Sequence, residues 1–284
     1  MAYGVQSIND YVLPGSGTSE NSTQLDAIYF SDFNQAVGPN STSPAQGGVF
    51  YGNAANGGAV TNNSSTAFEA FGVNSASGVI TLATGTTNNS TGYANTYTSA
   101  FLIPGVTAPG AGLIAKYEME TLIRTESTIH NNSARGLYRF GLMNSVTNTA
   151  PADGVYYEFL YNGTTNDTTW NIVFRKDNSE ERVNTTLTVA ASKTYRLYLC
   201  VEVSTDRTLT TTYKAKNMTD STSVESTATP TNLARYPTGA GDYMGLNLIN
   251  SKVTTSTTTS ITLYADYIGL RVRRPVAREI LLYS

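Results

Sequence analysis

The chain has 284 residues, 40% hydrophobic and only 14% charged, with a formal net charge of −3 and no long basic run. That balance argues against nucleic acid as a partner, and no segment approaches the ~18 consecutive apolar residues of a membrane span. Nineteen tyrosines against one tryptophan, with polarity supplied by Thr, Ser, Asn and Gly, favour strands and turns over helices.

Residues 1–50 show neither sustained alternation nor a strong helical period. The stretches VLPGSGTSENSTQ and GPNSTSPAQGG are loop text. Between them, Leu25, Ile28 and Tyr29 would form one short helical face, or the segment would dock as an extended strand. The region carries Tyr3, Tyr11, Tyr29, Phe30 and Phe33, whereas a disordered tail should be poor in aromatics. It is therefore expected to be an N-terminal arm whose aromatics pack on a neighbouring surface. The first residues lack the basic and apolar regions of a secretion signal, so none is expected. Triplets such as those at Asn21, Asn40, Asn89, Asn162 and Asn184 then reflect the abundance of Asn and Thr rather than glycosylation.

From residue 51 the text becomes short strands separated by turn residues. TAFEAFGV (66–73), GVITLATG (78–85) and GYANTYTSAFLI (92–103) come first. LIAKYEMETLIRTES (113–127) follows the break PGVTAPGAG and alternates fully. Tyr117, Met119 and Ile123 fall on one face, and Lys116, Glu118, Glu120, Arg124 and Glu126 on the other. GLYRFGLMN (136–144) leads to the turn PADG, where Gly154 is free to take a positive φ. VYYEFLYNG (155–163) places Val155, Tyr157, Phe159 and Tyr161 together, and TTWNIVFRKDN (168–178) does the same for Trp170, Ile172 and Phe174. RVNTTLTVA (182–190), TYRLYLCVEVS (194–204), LTTTYKAKNM (209–218), GDYMGLNLINS (241–251) and TTSITLYADYIGLRV (258–272) complete the series.

Ten to thirteen strands without amphipathic helices or a fixed repeat indicate an all-β antiparallel sandwich over 51–272. The tail 273–284 leaves the pattern at Pro275. Its Arg273, Arg274 and Arg278, with an apolar end, suit docking on a neighbour better than nucleic acid.

The order LIAKYEMETLIRT, YRFGLMN, ADGVYYEFLY, WNIVFRKDN, KTYRLYLCVEV and finally LYADYIGLRV resembles the concanavalin A-like (lectin/glucanase) β-sandwich modules of bacteriophage virion proteins, in head decorations and tail fibres. The resemblance runs over roughly residues 66–272. It implies a jelly-roll fold and a virion role as a capsid cement or decoration protein. A homotrimer bound to the major capsid protein at the particle surface would follow by analogy. The alternative it implies is a tail-fibre or adhesin module that binds host glycans.

Some sandwiches of this kind cleave glycans, and the glucanase pattern needs a Glu, an Asp two residues on, and a further Glu about three later. Glu118 and Glu120 match the first two positions, with Glu in place of Asp at the second, but the third is Ile123. Residues two apart on a strand lie about 6.5–7 Å apart on one face, which suits a retaining carboxylate pair. The same row holds Lys116 and Arg124, which would neutralise the acids along or across the sheet. Glu118 and Glu120 are thus expected to be interface or cross-strand residues, and the chain is expected not to be an enzyme. His130 is the single histidine, in a loop where a solvated ring is expected. One histidine makes no His-rich metal site, and Cys200 reads as a small apolar strand residue. KDNSEE (176–181) has calcium-like acidity without the ligand spacing and reads as a hairpin tip. No cofactor or metal is expected.

Overall fold

The computed structural model describes residues 24–31, 51–63, 79–95, 101–102, 115–203, 209–231, 243–253 and 259–275. These form sixteen strands: β1 (Gln24–Ser31), β2 (Tyr51–Ala55), β3 (Ala59–Asn63), β4 (Val79–Ala83), β5 (Thr91–Asn95), β6 (Phe101–Leu102), β7 (Ala115–Thr125), β8 (Gly136–Met143), β9 (Gly154–Tyr161), β10 (Thr169–Lys176), β11 (Ser179–Thr188), β12 (Thr194–Val203), β13 (Leu209–Asn217), β14 (Thr222–Ala228), β15 (Tyr243–Lys252) and β16 (Thr262–Pro275). The first sheet runs β14-β13-β12-β7-β16-β4-β3, with β1 also paired to β16. The second runs β11-β10-β9-β8-β15-β5-β2, with β6 also paired to β15. Every pairing is antiparallel. The expected all-β sandwich is therefore the observed one, and no helix occurs among the described residues.

Alternation builds the core. Tyr117, Met119 and Ile123 of β7 face Phe140, Tyr157, Trp170 and Phe174 of the second sheet in one buried cluster. Trp170 sits at its centre, with Tyr138, Tyr157, Phe159 and Tyr195 at ring-centroid distances of 5.9–6.4 Å, mostly edge-on. Each such contact adds about 0.5–1.5 kcal/mol beyond simple burial. In β16 the inward set changes phase. Leu263 and Ala265 point in, then Ile268, Leu270 and Val272 do. An extra residue at Asp266 shifts the register against β7, a β-bulge that returns apolar side chains to the core.

The segment around Leu25–Tyr29 takes the extended alternative. β1 pairs residue for residue with Ile268–Pro275, beyond the stretch of β16 that β4 covers. Without it the last half of β16 would present an unpaired edge. The sheet thus includes eight residues that the sequence assigned to the arm, and continues to Pro275. β14 was not predicted: TSVESTA lacks an apolar row, and an edge strand exposed on one side needs none.

Two expectations fail for a shared reason, close packing. Gly154 does not take a positive φ. Its missing side chain matters because a Cβ would stand 2.8 Å from the Leu142 carbonyl. The positive φ angles of this region fall on Asp177 and Asn178, at the β10–β11 hairpin tip. His130 is not solvated; it is 1% exposed, against the Tyr138 ring at 4.7 Å. Gly136 leaves room for it, since a Cβ there would lie 2.2 Å from the imidazole. The Asn250 side chain donates to the carbonyls of Leu82 (2.7 Å) and Ile261 (2.9 Å), joining the two sheets. That orientation leaves its Oδ1 to accept from His130 Nε2 at 3.0 Å.

Burial holds His130 neutral and lowers its pKa to about 4. The unfolded chain takes up this proton below an ordinary pKa of about 6.5, and the folded chain does not. Stability is accordingly full above pH 6.5 and lost as pH falls toward 4, by roughly 3 kcal/mol in total. Denaturant unfolding between pH 7 and 4 measures this slope, and His130→Gln is expected to flatten it.

Candidate functional site

The outward row of β7 is where the sequence placed its acid pair. Both carboxylates are engaged across the sheet by side chains of the neighbouring strands β12 and β16. Glu120 pairs with Arg196 at 2.8 Å and accepts from the Tyr267 hydroxyl. Glu118 accepts from the Tyr198 hydroxyl at 2.9 Å. Lys116 pairs instead with Glu202 at 2.7 Å. Register explains the exchange: Glu120 stands opposite Tyr198, and Lys116 opposite Glu202, so the nearest countercharges lie on the neighbouring strand. Glu126 accepts from the Thr262 backbone at 3.0 Å, at the end of the sheet. This is the hydrogen bonding of a strand face, with the carboxylates held as acceptors.

Beside this row the first sheet carries a groove of about 500 Å³ lined by Glu120, Arg196, Tyr198, Lys214, Lys216 and Glu225, among others. Two adjacent transverse rows build it. Glu120, Tyr198, Lys214 and Glu225 stand opposite one another on β7, β12, β13 and β14. Arg196, Lys216 and Ser223 form the next row. Lys214 pairs with Glu225 at 2.6 Å and sits 6.0 Å from the centroid of the Tyr198 ring. The Lys216 side chain has no ion pair or hydrogen bond among the described residues. Burial raises the Tyr198 hydroxyl pKa, so it remains a donor to Glu118.

A second charged cluster lies on the outer side of the second sheet, and the sequence reading missed it. Glu158 is 1% exposed, with one carboxylate oxygen on Arg139 at 2.6 Å and the other on Arg182. Arg182 continues to Asp167 at 2.6 Å. Burial alone would raise the Glu158 pKa, but the two guanidinium groups outweigh it and hold the carboxyl below its ordinary value. Arg139 also donates to the Thr149 carbonyl at 2.7 Å, and Arg175 donates to the Pro151 carbonyl. The cluster thus clasps loop 144–153 over the sheet. Its signal was present in YRFGLMN and VYYEFLY, each with one charge in an apolar strand; Arg139 and Glu158 are direct cross-strand partners.

Of the expected interface residues, Tyr3, Tyr11, Phe33 and Arg278 lie outside the described residues. Tyr29 and Phe30 lie on β1, and Arg273 and Arg274 on β16, where the two strands pair. Cys200 is buried. Among the described residues no three His, Cys, Asp or Glu side chains gather as a metal site.

No protein-family model matches the chain, and no curated protein matches it in sequence. Solved structures do match in fold. A protein of unknown function from Shewanella oneidensis MR-1 is 14% identical, with a TM-score of 0.56, over 98% of this chain and 99% of that one. Winged bean acidic lectin, solved with methyl-α-D-galactose, is 12% identical with a TM-score of 0.53, over 88% and 99%. Arcelin-5, a lectin-like defence protein of Phaseolus vulgaris, is 12% identical with a TM-score of 0.52, over 87% and 98%. At such identities the likeness is one of fold, and that fold is the lectin-like, concanavalin A-like β-sandwich.

The buried cluster makes a direct prediction. Glu158→Gln leaves Arg139 charged and buried without its carboxylate, which costs about 3–5 kcal/mol. Urea unfolding is expected to show that loss, and proteolysis is expected to cut loop 144–153 faster.

Proposed function

We propose that this chain is a non-enzymatic structural protein of a bacteriophage virion, of the capsid cement or decoration type, working by contact rather than by chemistry. The observation that carries the non-catalytic part is the acid row of β7. Arg196 and Tyr267 engage the Glu120 carboxylate and Tyr198 donates to Glu118 Oε1, where a glycosidase would keep one acid protonated and one free to attack. The virion part draws on the strand-order resemblance stated above. It also draws on β1, which anchors part of an aromatic-bearing N-terminal region to the sheet edge. A rigid sandwich with a tethered arm can add contact area on neighbouring subunits, and such assemblies are commonly symmetric.

A second reading, a glycan-binding module of a fibre or adhesin, has its own support. The groove beside Tyr198 combines an aromatic face with fixed polar groups, the usual composition of a small-ligand site. A relative in fold was solved with a bound galactoside.

Mass spectrometry of particles purified from the source settles the first reading. The chain is expected in fixed proportion to the major shell protein; its absence from intact particles would overturn the proposal. On polysaccharide substrates, Glu118→Gln and Glu120→Gln are expected to change no measurable cleavage.

A further inference from the structure

The geometry points to a ligand class for the groove on the first sheet: we infer that it binds an acidic oligosaccharide, one carrying carboxylate or sulfate groups. The inference rests on the glycan-binding reading and assigns that reading a place and a charge.

Three observations carry it. The first is the charge pattern. Arg196, Lys214 and Lys216 face two acids, Glu120 and Glu225. Those acids are each held by one cation, Glu120 by Arg196 at 2.8 Å and Glu225 by Lys214 at 2.6 Å. Lys216 is exposed, its side chain is engaged by no described residue, and it stands beside Arg196 in the cross-strand register. It is the ammonium group left over for a ligand anion. An incoming carboxylate or sulfate would meet Lys216 directly and the partly exposed Arg196 guanidinium beside it.

The second is the platform. The Tyr198 ring is half-buried and is held from two sides, by its hydroxyl bond to Glu118 at 2.9 Å and by Lys214 over the ring. With Lys214 over one face, the ring surface that lines the groove is fixed, costs little ordering entropy on binding and suits the apolar C–H face of a pyranose. A small inorganic anion would have no use for it.

The third is shape. A groove of about 500 Å³ crossing β12, β13 and β14 falls within the roughly 300–1,000 Å³ of small-ligand sites. It runs across the strands and therefore along the two rows, so each sugar unit lies between them. The row of Ser223, Lys216 and Arg196 meets the acidic groups on one side of the sugar chain. The row of Glu225, Lys214, Tyr198 and Glu120 flanks the other side, with the two carboxylates accepting from sugar hydroxyls.

Calorimetric or NMR titration of the full chain tests this with three hexasaccharides: one of uronic acids, one sulfated, one neutral. One or both acidic sugars are expected to bind, more weakly as salt rises, and the neutral one at least about tenfold more weakly. Lys216→Gln, at an exposed position, is expected to weaken acidic binding about fivefold, and Tyr198→Ala to weaken it further. Acidic binding that Lys216→Gln leaves unchanged, or NMR shifts confined to another surface, would overturn the groove assignment while the glycan reading stands. Binding of none of the three by folded protein would overturn both.

Discussion

The meeting of two apolar rows around Trp170 is the contact on which the rest of this molecule depends. β7 and β12 supply one wall and β8, β9 and β10 the other, with the indole at the centre of an edge-on aromatic cluster. Period-two geometry forces the remaining half of each strand outward. Those outward rows are then free to differ, and they do. The first sheet keeps an accessible face of paired charges and tyrosines. The second buries an ion cluster under loop 144–153.

The difference has a physical basis. Arg139 and Glu158 lie directly opposite each other and are cut off from water, so each charge requires the other, and Arg182 completes the set. The pairs on the first sheet are partly exposed: the side chains of Arg196 and Lys214 retain 54% and 51% of their accessibility. Such pairs contribute little to stability and can exchange partners at small cost. One charged face thus fastens the fold, while the other remains available to a ligand or a neighbouring subunit.

Much of this was legible in the sequence wherever alternation was clean. YEMETLIRT and TYRLYLCVEV showed their inward and outward rows directly. The acids of β7 were correctly placed outward, but their partners depend on register, which a single strand does not encode. That is why Arg196, Tyr198 and Tyr267 emerged only with the sheet assembled. The groove was hidden for the same reason, since its residues come from four strands. β14 was illegible because an exposed edge needs no apolar row. His130 was illegible because its burial depends on the absence of a side chain at Gly136 and on an asparagine far along the chain. The Arg139–Glu158 pair could have been read, as single charges within apolar strands are seldom left unpaired.

The central claim is that the sandwich acts by holding on to a partner. A cryo-electron microscopy structure of the assembled particle tests it most directly, by showing what the region before and after β1 touches. The account predicts the sandwich as a repeated unit on the particle surface, with the aromatics of residues 1–50 buried against neighbouring subunits. A particle map without the sandwich, or one in which residues 1–50 contact no other subunit, would contradict it.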